Sequence, residues 1–130
     1  MKVVFIFLMM LIATSTYSQQ KVIANEKVIL TGTLTNKLFY GPPNFGENPE
    51  TDAKEPSYIL KLDKSILLKD KDFNGNDWVK ISEIHVFDAN RKIDLKPYNT
   101  KKVSIECSLA AAHSGHHHAP AITWNLYSIK

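Results

Sequence analysis

The stretch Lys102-Val-Ser-Ile-Glu-Cys-Ser-Leu-Ala-Ala-Ala-His113-Ser-Gly-His-His-His118-Ala-Pro-Ala-Ile-Thr-Trp-Asn-Leu126 decides the fold. Apolar and polar residues alternate on both sides of Ser114-Gly115, the period of a strand with one buried face. Ser114-Gly115 has the composition of a two-residue turn closing an antiparallel hairpin. A turn there predicts strands over 101–113 and 116–128. It opposes His113 with His116, Ala111 with His118, Leu109 with Pro120, Cys107 with Ile122, Ile105 with Trp124 and Val103 with Leu126. Opposed residues project from the same face. One face then reads Val103, Ile105, Cys107, Leu109, Ile122, Trp124 and Leu126, and the other Lys102, Ser104, Glu106, Ser108, Thr123, Asn125 and Tyr127. A one-residue slip would destroy that match. Pro120 has no amide proton for a ladder and marks an edge or a bulge.

Upstream segments continue the strand pattern. Val28 to Thr35 alternates, with Val28, Leu30 and Leu34 on one side and Gly32 marking a bulge or sharp bend. Tyr58 to Asp63 turns Tyr58, Leu60 and Leu62 inward, and Ile66 to Leu68 extends it or forms a separate strand. Val79 to Phe87 changes parity between Ile81 and Ile84, which predicts a bulge near Ser82-Glu83. Between the first two strands, Tyr40 to Pro56 holds four prolines with Gly41, Gly46, Asn44 and Asn48, and reads as a long loop. Its aromatics Phe39, Tyr40 and Phe45 either pack down onto the core or form a binding lip. Residues 89–100 are a connector with room for one helical turn, limited by Pro97. No helical period is sustained and no repeat occurs. The expectation is an all-β fold, a small five- or six-stranded OB-like barrel, with a small sandwich as the alternative.

The N-terminus has a different character. Lys2 precedes an apolar run from Val3 to Ile12, and Thr16-Tyr17-Ser18 sets small residues before a cut at Ser18/Gln19, the pattern of a secretory signal. The run is short of the ~20 residues a spanning helix needs. The reading is a signal peptide over 1–18, a polar lead over 19–27 and an OB-like β-domain over 28–130, exported to the periplasm or beyond, with no membrane anchor after cleavage. The formal net charge of +3 is spread among interspersed lysines and carboxylates. No basic face emerges, which argues against nucleic acid as a partner. The one cysteine, Cys107, excludes an internal disulfide and reads as a small buried hydrophobe, with a reactive thiol or an intermolecular disulfide as the alternatives.

Four of the five histidines crowd into residues 113–118. In the predicted register His113, His116 and His118 share the end of the core face, and His117 points away as a supporting or alternative ligand. The alanines around them leave room for imidazoles to converge on zinc, with copper and nickel as alternatives. The competing reading is a loop tip of unliganded histidines. His85 reads as a satisfied or exposed strand residue rather than a fourth ligand. Asp70, Asp72 and Asn74 followed by Gly75 match the first half of a calcium loop. Ile81 stands where the closing glutamate belongs, so weak calcium binding competes with a plain polar turn.

No spacing selects a catalytic triad, a zincin helix or a phosphate loop. The leading expectation is therefore a non-enzymatic binding module with a metal ion as ligand. The alternative is an interaction or inhibitor module that holds an envelope protein through loop 40–56. A metal-dependent hydrolase would need a carboxylate near the histidines; Glu106 faces away from them, which leaves an Asp or Glu of the long loop 40–56 to approach.

Three segments carry a family resemblance: Val28–Leu34 (V-x-L-x-G-x-L), the strand ending at Leu62-Asp63-Lys64, and His113-x-Gly115-His116-His117-His118-x-Pro120. Together they resemble a bacterial family of exported domains, domain of unknown function 4431, over roughly residues 28–128. Cys107 stands where that pattern expects glycine. The resemblance implies the architecture and the place of the site, and no activity.

Overall fold

The computed structural model describes residues 18–73 and 77–130. The expected signal segment, apart from Ser18, lies outside the described residues, as does Asn74 of the calcium pattern. The strands are β1 (Lys21–Ile23), β2 (Val28–Tyr40), β3 (Lys54–Lys69), β4 (Trp78–Val86), β5 (Lys102–Ala111) and β6 (Ala121–Ile129), with one 3₁₀ turn at Lys96–Tyr98. The fold is all-β, with six strands in one sheet.

Five strands close a ring of hydrogen bonds. β2 pairs antiparallel with both β3 and β5, β5 with β6, and β3 with β4, and a short parallel pairing of β4 with β6 completes the circle. The arrangement is barrel-like and OB-like, with β1 added in parallel along β3. Gly32 is where β2 changes partners, opposing both Leu62 of β3 and Val103 of β5. A side chain there would collide with the Lys61 carbonyl, so only glycine allows the close approach. The parity change in β4 is also real. Lys61 pairs with Glu83 but Ile66 with Ile81, an irregularity centred on Ser82. Leu34, Leu60, Ile66, Leu68, Ile81, Ile84, Ile105 and Leu109 are buried in the interior. β1 falls in what the sequence presents as a polar lead, and its Val22 joins that core. Cys107 is also in the core, and burial, with a smaller push from Glu106, raises its thiol to about 12, which leaves it unreactive.

The β5–β6 hairpin differs from its predicted register. The strands end at Ala111 and resume at Ala121, so the connection is nine residues long rather than the pair Ser114-Gly115. A turn does sit there, with the His117 N–H donating to the Ser114 carbonyl, but it caps a loop and does not set the ladder. Ala111 opposes Ala121, and Leu109 opposes Thr123. Two bulges follow, because Ser108 opposes Asn125 and Glu106 opposes Ser128. They leave Trp124 and Tyr127 as extra residues on β6, and both are exposed. Trp124 is therefore not a core residue as its spacing predicted. Val103, Ile105, Cys107, Leu109 and Leu126 are buried in the core as expected, whereas Ile122, opposite Ala110, is buried outside the interior cluster.

Candidate functional site

The histidine loop, residues 112–120, folds over the outer face of the sheet. Strand pleating fixes this. Leu60 and Ile84 belong to the interior cluster, so their neighbours Ile59 and His85 project outward. Both are nonetheless buried, as is Ile122, which opposes His85 across the β4–β6 pairing. The expected place for the histidines, at the end of the core face, is thus corrected to the opposite face. The cause is the hairpin register: a nine-residue connection reaches past the sheet edge, where a two-residue turn could not.

Glu55 ties this loop down. It enters β3 directly after the proline-rich loop and lies opposite Phe39 of β2. Its two oxygens accept from different imidazoles, Oε1 from His116 Nδ1 at 2.5 Å and Oε2 from His118 Nε2 at 2.8 Å. Phe39 stacks on the His118 ring, with centroids 4.3 Å apart and planes 4° from parallel. Gly41 leaves the space that the Glu55 carboxylate fills. Desolvation opposes the charge on Glu55, but the hydrogen bonds and charge of His118 and His116 outweigh it and hold the carboxyl below the usual glutamate value.

The other histidines are committed by separate bonds. His85 Nδ1 accepts the His118 backbone N–H at 3.2 Å. Burial pushes the His85 imidazole down to about 4, aided by His118 and His117 and opposed by Glu55. His85 is thus a satisfied strand histidine, buried rather than exposed. His117 Nδ1 accepts the His113 N–H, and the His113 and His117 rings meet edge to face at 4.6 Å. Burial, then the neighbouring histidines, lowers the pKa of His117 as well. The four loop histidines thus divide into His116 and His118 on Glu55, and His113 with His117. Among the described residues no three His, Cys, Asp or Glu side chains are disposed to hold a metal ion. The two oxygens of one carboxylate hold His116 and His118 on separate sides.

Beside the loop lies a cavity of about 330 Å³. Phe87, Trp124, His113 and His117 supply its rings, with Asn90 and Asn125 at its rim. The proline-rich loop, residues 41–53, closes on the other side. Its frame is Asp52, a buried carboxylate that accepts from the N–H groups of Asn44, Gly46 and Asn48. Phe45, held at φ 50°, is 54% exposed and sets its ring against Gly115, so it bridges the two loops while remaining open to solvent. Asp70, the first residue of the calcium pattern, is engaged by backbone amides. Its oxygens accept the Ala111 N–H at 2.9 Å and the Asp72 N–H at 3.1 Å, which caps the end of β5.

Sequence reasoning missed Glu55 because no local pattern joins it to a loop some 60 residues away. It is one of four acidic residues in the stretch 40–56, and no pattern singles it out from Glu47, Glu50 and Asp52. No curated protein matches the chain. Residues 83–123, which run from β4 through the connector, β5 and the whole histidine loop into β6, match the family described as Domain of unknown function (DUF4431).

Proposed function

We propose that the protein is an exported binding module for a small ligand, with its site on the outer face beside the histidine loop. The observation that carries this is the cavity of about 330 Å³, walled by rings and rimmed by amides. Its size falls within the ~300–1,000 Å³ usual for ligand pockets, and mostly apolar walls with a few convergent polar groups are the usual lining. The location supports the reading by fold analogy in part, since OB-type barrels carry ligands on the strands equivalent to β3 and β4 and on the loops equivalent to 41–53 and 112–120, and the cavity adjoins the last of these. Export rests on the pattern of residues 1–18. The test is a backbone amide NMR titration with neutral, acidic and basic small molecules. Shifts concentrated at residues 87–90, 113–117 and 122–125 are expected. Shifts elsewhere, or none, overturn the reading.

A transition-metal ion is the second reading, and Glu55 favours it. By taking the N–H of His116 Nδ1 and His118 Nε2, the carboxylate leaves each opposite ring nitrogen with the lone pair a metal uses. Carboxylates orient metal-binding imidazoles in this way. The rings do not converge as they stand, so a metal would have to draw the loop together, with His113, whose Nδ1 lies beside the Ala111 carbonyl, supplying the third nitrogen. Calorimetry of tag-free protein with Zn²⁺, Cu²⁺ and Ni²⁺ should then give heat absent from a His113/His116/His118 triple alanine variant. Affinity should fall about 10–100-fold in Glu55→Gln. Equal heats in both proteins remove the metal.

A further inference from the structure

We infer that the cavity beside the histidine loop takes a neutral sugar ring; this rests on the small-ligand reading above. The first ground is Trp124. An indole in a strand of this pattern belongs in the core, yet a bulge turns it outward and leaves it 52% exposed. Bulges that re-aim one side chain are common beside binding sites. The other exposed aromatics of the outer strands lie under cations: Lys21 and Lys69 are over Trp78, and Lys27 is over Tyr127. Trp124 instead lines the cavity, with the His113 ring 6.4 Å away and Phe87 among the other walls. Such a wall suits a ligand with an apolar, flat C–H face.

The second ground is the polar lining. None of the lining residues is Asp, Glu, Lys or Arg. A charged ligand would lose its hydration with no counter-charge to replace it. What the cavity offers are neutral donors and acceptors in pairs. His117 Nδ1 accepts from the His113 backbone, so its Nε2 carries the hydrogen and donates. His113 Nδ1 lies 3.3 Å from the Ala111 carbonyl, so this nitrogen carries the hydrogen and Nε2 accepts. Asn125 donates through Nδ2 to Ser108 Oγ, which leaves its carbonyl oxygen as an acceptor. Hydroxyl groups match this mixture, because each both donates and accepts. A ring with hydroxyls at its edge and C–H bonds on its face is a saccharide. The cavity volume equals about eleven waters at ~30 Å³ each, room for one hexose.

The experiment is saturation-transfer NMR on the full mature chain. The probes are the methyl glycosides of glucose, galactose, mannose and N-acetylglucosamine, with benzoate and tetramethylammonium as charged comparators. Transfer to the ring C–H protons of at least one glycoside is expected. Affinity should weaken about tenfold in Trp124→Ala and in the rim variant Asn90→Ala, and hold in Trp78→Ala. If only a charged comparator binds, and Trp124→Ala abolishes it, the cavity stands as a site and the sugar is wrong. Glycoside binding indifferent to Trp124→Ala and Asn90→Ala places the sugar elsewhere and overturns the inference. If no probe binds, the sugar and the small-ligand reading fall together.

Discussion

The two loops that meet at Glu55 are built on opposite plans. Loop 41–53 carries its own frame: Asp52 gathers three backbone amides, and further backbone bonds run from Gly41 to Ala53 and from Ala53 to Pro42. Loop 112–120 has little frame of its own, with backbone bonds from Ala112 to Pro120 and from His117 to Ser114. It is held from outside, by Glu55 through two imidazoles and by His85 through the His118 amide. A loop fixed by backbone amides keeps its shape as long as one carboxylate is ionised. A loop fixed by imidazoles depends on their protonation as well. The difference predicts that acid and mutation will loosen the histidine loop first and leave its neighbour in place.

Acid gives the largest expected effect. His85 holds a proton less readily folded than unfolded, so its contribution is complete above its ordinary value of 6.5 and is lost as the pH falls towards about 4. The loss is on the order of 3 kcal/mol, visible as a falling urea midpoint across that window and flattened in His85→Gln. An unchanged slope in that variant contradicts the assignment. The Glu55 contribution runs lower on the scale, present above the usual glutamate value and lost as the pH falls through its depressed one. Next in size, Glu55→Ala should cost about 2 kcal/mol and speed hydrogen exchange at Ala112 and His117, with Asn44 and Gly46 unchanged. Asp52→Asn should do the reverse: exchange rises at Asn44, Gly46 and Asn48, and the global midpoint barely moves. Smallest is Gly115→Ala. Its new Cβ would come within 2.9 Å of the Phe45 ring, but that ring is exposed and can yield, so the stability change should stay within about 0.5 kcal/mol.

β2 to β6 were legible in the sequence because each has one buried face, whereas the three residues of β1 read as part of a polar lead. The parity break at Ser82, the tight crossing at Gly32 and the single turn at Pro97 all left local marks, and all three are present. The hairpin register was not legible, for a physical reason. The ladder starts three residues off, with Ala111 opposite Ala121 rather than His118, because the connection is longer than a turn; two bulges then shift it by one residue each, and a regular alternation carries no sign of where an extra residue will be dropped. Trp124 shows the consequence: its hydrophobicity argued for the core, and the bulge turned it outward. The candidate site was half legible. The histidines announced themselves by crowding, while Glu55 depends on a contact across 61 residues of chain that no local pattern records.

The most direct test of the central claim, that Glu55 ties the histidine loop to the strand that follows the proline-rich loop, is long-range ¹⁵N–¹H NMR of the imidazole side chains in wild type and Glu55→Gln. The account predicts hydrogen-bonded N–H signals at His116 Nδ1 and His118 Nε2 in wild type, at least one of them lost in the variant, whose amide keeps a single acceptor oxygen, with the His85 signals retained. Histidine side-chain spectra that are the same in both proteins would contradict it.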